Sequence, residues 1–154
     1  MDRRFIFILV GLSVLLPKLY PEVFTFKIKT SSHTERVFNE IDALDEGSKF
    51  LLSFEYGPST KPEIHPSALA ILNHLFSKNI KVYAFALWPD GNFMATDAFS
   101  IVADKYSKKY GIDYVNLGYK PGGEAVVKGL ASDIRTMYTV DLLGNDLDGL
   151  PMMN

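Results

Sequence analysis

Three short apolar runs, each followed by a stretch with helical periodicity, fill residues 49–135 and constrain the fold more than any other feature. The first run is KFLLSF, Lys49–Phe54. After it, Pro66–Lys78 puts Leu69, Leu72, Leu75 and Phe76 on one helical face. The second run is KVYAFAL, Lys81–Leu87, rich in the β-branched and aromatic residues that suit a pleated, buried surface. Met94–Tyr110 follows, with Phe99, Val102, Tyr106 and Tyr110 at helical spacing and Gly111 as its stop. The third run is YVNL, Tyr114–Leu117, and Gly123–Arg135 then turns Val126, Val127 and Leu130 inward. This alternation predicts a parallel sheet with helices on its faces. Strands that are apolar throughout, rather than alternating, point to burial on both sides. The expected fold is therefore α/β: a Rossmann-like three-layer sandwich with a mostly parallel sheet.

Two flanking regions complete this domain, which is expected over 32–154. Upstream, Ser32 and Glu35 have the spacing of a capping box, and Val37, Phe38, Ile41 and Leu44 continue a helix to Gly47. Downstream, Met137–Leu143 reads as a fourth strand, and the acidic, turn-rich GNDLDG leads to an apolar end at Leu150–Met153. A domain closing on apolar residues without a covering helix is expected to be incomplete at its C-terminus, or to dock its tail elsewhere.

The N-terminus predicts a hydrophobic helix. After Arg3 and Arg4, Phe5 to Pro17 is an unbroken run of 13 apolar or small residues. That is short of the roughly 20 needed to cross a bilayer core, but continuing past Lys18 to Phe24 reaches the length. Lys18 would snorkel, and Tyr20 and Phe24 would sit at the interface. Residues 1–24 are thus expected to be a single-pass membrane anchor, with a cleaved signal segment or a buried core helix as the alternatives. Lipid is the expected partner of residues 5–24. The balance of Arg3 and Arg4 against Lys18, Lys27 and Lys29 leaves the side of the soluble domain open. Residues 25–31 read as a linker, and VFTFKIK (23–29), which runs into it, alternates as a short strand would.

Composition excludes several chemistries. The chain has no cysteine, so disulfides, thiolate metal sites and cysteine nucleophiles are ruled out. Its net charge of −2, with no basic stripe, gives no electrostatic reason to expect nucleic acid.

The segments LLSFEYGP (Leu51–Pro58), HPSALAILNH (His65–His74), YGIDYVNLGYKPGGEAVVKGLASDIR (Tyr110–Arg135) and the Leu150–Met153 ending resemble a family of uncharacterised prokaryotic membrane-associated α/β proteins. The resemblance covers nearly the whole chain. It implies longer relatives with further α/β units and a hydrophobic C-terminal segment, and it carries no activity, cofactor or catalytic residue.

In an open parallel sheet, ligands bind beyond the C-terminal ends of the strands. Three loops are expected to meet there: 55–60, 88–92 and 118–124. They supply the candidate ligand residues Glu55, Tyr56, Ser59, Trp88, Asp90, Lys120, Gly122, Gly123 and Glu124. Gly122 and Gly123 before a helix, with Lys120, fit an anion site; the other reading is a tight turn, with Glu124 opposing an anion at the helix start. Glu55, Asp90 and Glu124, joined by His65, are the candidate oxygen ligands of a hard cation, against the reading that they cap helices and meet water. Ser53 and Ser59 with His65 and His74 are the available nucleophile and base types, but no GxSxG elbow is present. Trp88 stacks a ligand or packs on a neighbouring helix. The expected function is a binding or interaction module whose ligand enters this crevice, with a membrane protein or a second copy as further partner. The alternative is a hydrolase or transferase acting on an anionic small molecule there.

Overall fold

A computed structural model describes residues 3–24 and 29–153. The chain divides into two units, Met1–Arg36 and Val37–Asn154.

The first unit holds α1 (Arg3–Leu19), α2 (Pro21–Phe24) and the start of α3 (Ser32–Asp42). Helix α1 is apolar around its circumference, with Phe5, Phe7, Leu9, Val14 and Leu19 all exposed. Its 17 residues rise about 26 Å, less than the about 30 Å of a bilayer core. Among the described residues no helix is long and apolar enough to cross a membrane. The single span expected over 5–24 is therefore not formed. The chain leaves the helix at Tyr20, because the ring of Pro21 disfavours helical geometry in the residue before it. Val23 and Phe24 lie in α2 rather than in the expected strand, and residues 25–28 of that stretch fall outside the described residues. The cap of α3 is Ser31, not Ser32: its Oγ accepts from the Thr34 amide at 3.2 Å.

The second unit is built on a three-stranded parallel sheet in the order β1 (Lys49–Ser53), β2 (Lys81–Ala86), β3 (Tyr114–Tyr119). Its register pairs Leu51 with Tyr83, and Tyr83 with Val115. Helix α4 (Lys61–Ser77) links β1 to β2, and α5 (Gly91–Val102) links β2 to β3. Crossovers of one hand, stepping one way across a sheet, place their helices on one face. Accordingly Leu72, Leu75 and Phe76 of α4 and Ala95, Ala98 and Phe99 of α5 share a core with Val82 and Ala84 of β2. The alternate residues Tyr83 and Phe85 face the other way. With Val115 and Leu117 they are covered by α6 (Glu124–Ser132), by Tyr138 after α7 (Ile134–Met137), and by the tail residues Leu147, Met152 and Met153. The apolar tail thus docks on the second face of the sheet, where it stands in for a covering helix.

Several expected boundaries move, each for a local reason. Helix α4 starts five residues before Pro66, because Pro62 suits the first turn of a helix. Helix α5 stops at Val102, and a short 3-10 turn closes at Ser107 in the left-handed region (φ 54°). There the Lys108 amide reaches the Ala103 carbonyl at 2.9 Å, so Tyr110 lies beyond the helix. The helix expected over 123–135 is split at Asp133, whose extended backbone ends α6 and whose side chain caps α7 at the Arg135 amide. Met137–Leu143 is not a fourth strand. The residues after α7 turn back, and Val140 makes only an isolated bridge to Asp146. The Leu142 amide instead donates to the Asn116 carbonyl at 2.8 Å, which lays 138–142 along β3.

Candidate functional site

The chain leaving β2 turns to α5 on one face, whereas the chain leaving β3 turns to α6 on the other. Between them the strand ends part and leave a crevice, as they do wherever neighbouring connections diverge. The crevice has a volume of about 420 Å³ and is lined by Asn92 at the start of α5, by 117–120 at the end of β3, and by 138–142. This falls in the range of small-molecule pockets, roughly 300–1,000 Å³.

Three interactions build its walls. Asn116, buried in β3, donates through Nδ2 to the Asn92 carbonyl and to Thr96 Oγ1, both at 3.0 Å, and accepts from the Gly118 amide at 2.9 Å. This pins the start of α5 to β3. Gly118 has φ +85°, a left-handed geometry that a side chain resists, and it redirects the chain out of the sheet. Asp141 holds the opposite wall, its carboxylate accepting from the Leu143 and Asn145 amides and from Asn145 Nδ2 at 2.8–2.9 Å.

Two polar atoms of the wall residues have no partner. The Tyr138 hydroxyl and Asn92 Oδ1 are both buried without a hydrogen bond among the described residues. Such groups are uncommon in folded proteins, and each costs about 1–3 kcal/mol when left unsatisfied. Tyr138 itself is 5% exposed. Burial first, and the nearby Glu55 carboxylate second, push its phenol up to about 12, so it remains a proton donor at neutral pH. Lys120 stands beside it: Nζ lies 4.8 Å from the centre of the Tyr138 ring and donates to the Met137 carbonyl. A second hollow of about 230 Å³ shares Tyr138, Thr139 and Val140 and adds Arg135, whose Nε meets Asp148 at 2.7 Å.

The other candidate residues lie as follows. Glu55 accepts from Ser53 and, at 2.9 Å, from the Leu87 amide, which ties the end of β1 to the end of β2. Asp90 abuts Gly57, where an added Cβ would come within 2.9 Å of the carboxylate, so the loops after β1 and β2 do meet. Ser59 and Trp88 are exposed and line none of the hollows described. Gly122 and Gly123 have φ of +137° and +49° and form the turn into α6. Glu124 points to solvent and pairs with Lys128 at 2.6 Å. Of the nine candidates, Lys120 is therefore the one that lines the crevice. Among the described residues no group of three or more acidic or histidine side chains is placed to hold a metal ion.

Tyr56 belongs to a separate polar cluster. Its hydroxyl meets His65 Nδ1 at 2.7 Å. His65 Nε2 lies 3.2 Å from Asp97 Oδ2, which is 2.7 Å from Lys61 Nζ. The His65–Asp97 approach is not aligned as a hydrogen bond, and the close partner of the Asp97 carboxylate is Lys61. Burial, then the Asp97 charge, pushes the Tyr56 phenol up to about 12. Tyr56 and His65 are buried, and none of the hollows described is lined by this cluster. It ties the β1–α4 loop and the first turns of α4 to α5. Among the described residues no serine hydroxyl bonds the ring of His65 or His74.

Sequence reasoning missed Tyr138, Thr139 and Asp141, because 137–143 read as a strand and not as a wall. It missed Asp97, which lies at mid-helix in α5. No known protein family matches the chain, and neither a curated protein nor a solved structure does.

Proposed function

We propose that the second unit is a Rossmann-like binding module whose small-molecule ligand occupies the crevice between the ends of β2 and β3. What supports this is an open crevice of about 420 Å³ at the point where the connections diverge, lined by Asn92, Lys120, Tyr138 and Asp141. The walls hold no base placed against a nucleophile, which favours binding over the hydrolase or transferase alternative. A fragment screen by ligand-observed NMR on wild type and on Leu142→Trp, which fills the crevice, tests it. Hits lost in the variant support the reading; hits equal in both proteins refute it.

For the first unit, we propose that lipid covers the apolar sides of α1, supported by the exposure of its large side chains all round. Flotation of the chain with phosphatidylcholine vesicles, lost in a variant with Phe7, Leu9 and Val14 changed to serine, is expected; flotation that survives the change contradicts it.

A further inference from the structure

We propose that a third hollow, between α5 and residues 142–143, binds an uncharged one-ring aromatic compound. It is a site apart from the crevice, with Leu142 the one residue that lines both.

The hollow has a volume of about 200 Å³. Helix α5 contributes Thr96, Phe99 and Ser100, which share one helical face. Tyr114 and Asn116 alternate onto the same face of β3, and Tyr110 precedes that strand. Leu142 and Leu143 complete the lining. Measured contacts tie these residues into one set. The ring of Tyr114 lies 4.5 Å from that of Phe99 and 5.4 Å from that of Tyr110, the latter edge-on. Asn116 bonds Thr96 Oγ1 through Nδ2 at 3.0 Å, and its carbonyl accepts from the Leu142 amide at 2.8 Å.

The chemistry of the lining sets the ligand class. None of its residues carries a charge. Thr96 Oγ1 donates to the Asn92 carbonyl, the Ser100 hydroxyl donates to the Asp97 carbonyl, and Asn116 Oδ1 accepts from the Gly118 amide. An ion entering the hollow would exchange its water for walls without a counter-charge, so the ligand is neutral. Size comes next. An apolar protein cavity of about 150 Å³ takes up benzene, so the volume here holds one ring with a small substituent. Three aromatic rings in the lining then favour an aromatic ligand over a saturated one, through edge-to-face and offset contacts that only a π-face makes. Leu142 and Leu143 are 39% and 68% exposed, and a ligand against them takes apolar surface out of water.

The test is titration of the full chain with benzyl alcohol, cyclohexylmethanol and benzoate, followed through backbone amide chemical shifts. Benzyl alcohol is expected to shift 96–100, 114–116 and 142–143 in a saturable way. Cyclohexylmethanol is expected to bind there about two- to tenfold more weakly, the usual worth of an aromatic pair. Benzoate is expected not to saturate. Ser100→Trp, at an exposed position of α5 outside the crevice, is expected to fill the hollow and abolish the response. Leu143→Asp, also at an exposed position, is expected to weaken benzyl alcohol about fourfold or more, what one buried methylene is worth, and keeps the test open should Ser100→Trp not fold. Unchanged amide shifts in β1 and α4 check that each variant is folded. Four results overturn the proposal: shifts that rise without saturating or map to α1 or to 117–120, equal affinities for benzyl alcohol and cyclohexylmethanol, benzoate binding as tightly as benzyl alcohol, or a response that survives the substitutions.

Discussion

Replacing Tyr138 with phenylalanine isolates what a buried hydroxyl without a partner costs the second unit. The hydroxyl is buried, has no hydrogen-bond partner among the described residues, and belongs to a side chain 5% exposed. An unsatisfied buried hydroxyl costs about 1–3 kcal/mol, so removing it without changing the ring's shape is expected to stabilise the free protein by about 1 kcal/mol. The ring keeps its packing against the core of the second face and its position beside Lys120. For a unit of this size, about 1 kcal/mol raises the melting temperature by roughly 3–6 °C. Differential scanning calorimetry on wild type and Tyr138→Phe measures it. A variant destabilised by more than about 1 kcal/mol would mean that the hydroxyl has a structural partner.

Three further outcomes follow from the packing. Gly91→Ala is expected to cost at least about 3 kcal/mol, since an added Cβ would sit 1.8 Å from the Phe54 carbonyl oxygen and 2.8 Å from Ala86 Cβ; urea unfolding checks it, and a loss under 1 kcal/mol contradicts the close approach of α5 to β1. Tyr56→Phe leaves His65 Nδ1 buried without its 2.7 Å partner and is expected to destabilise by about 1–2 kcal/mol in the same assay. Alkaline unfolding is expected from Tyr56 and Tyr138, whose phenols are pushed from 10 up to about 12. A folded pKa above the unfolded one means that the folded state holds the proton more tightly. Its contribution is fully present below pH 10 and is lost as pH rises toward 12. Tyrosinate absorbance and far-ultraviolet circular dichroism should change together over that window, and the two phenylalanine variants should flatten the stability loss.

The sheet was legible because its signals are local. KFLLSF, KVYAFAL and YVNL are apolar runs of strand length between helix-periodic stretches, and all three became parallel neighbours in chain order. Helix ends were less legible, because they depend on backbone geometry at single residues. The left-handed Ser107 and the extended Asp133 have side chains that do not announce a stop. The anchor reading counted apolar residues through to Phe24, whereas Pro21 breaks the helix at Tyr20. The crevice was half legible. Topology placed it beyond the strand ends and picked out Lys120 and the loop containing Asn92. The far wall arises from long-range contacts, such as the Leu142 amide on the Asn116 carbonyl, which leaves no trace in spacing. The tail that looked unpaired in sequence is apolar because it packs on Tyr83, Phe85 and Leu117.

The most direct test of the binding reading is a crystal structure of the chain soaked with a fragment mixture. Density is predicted in the crevice between Asn92, Lys120 and Tyr138. A crevice holding only water, with fragments bound elsewhere, would contradict it.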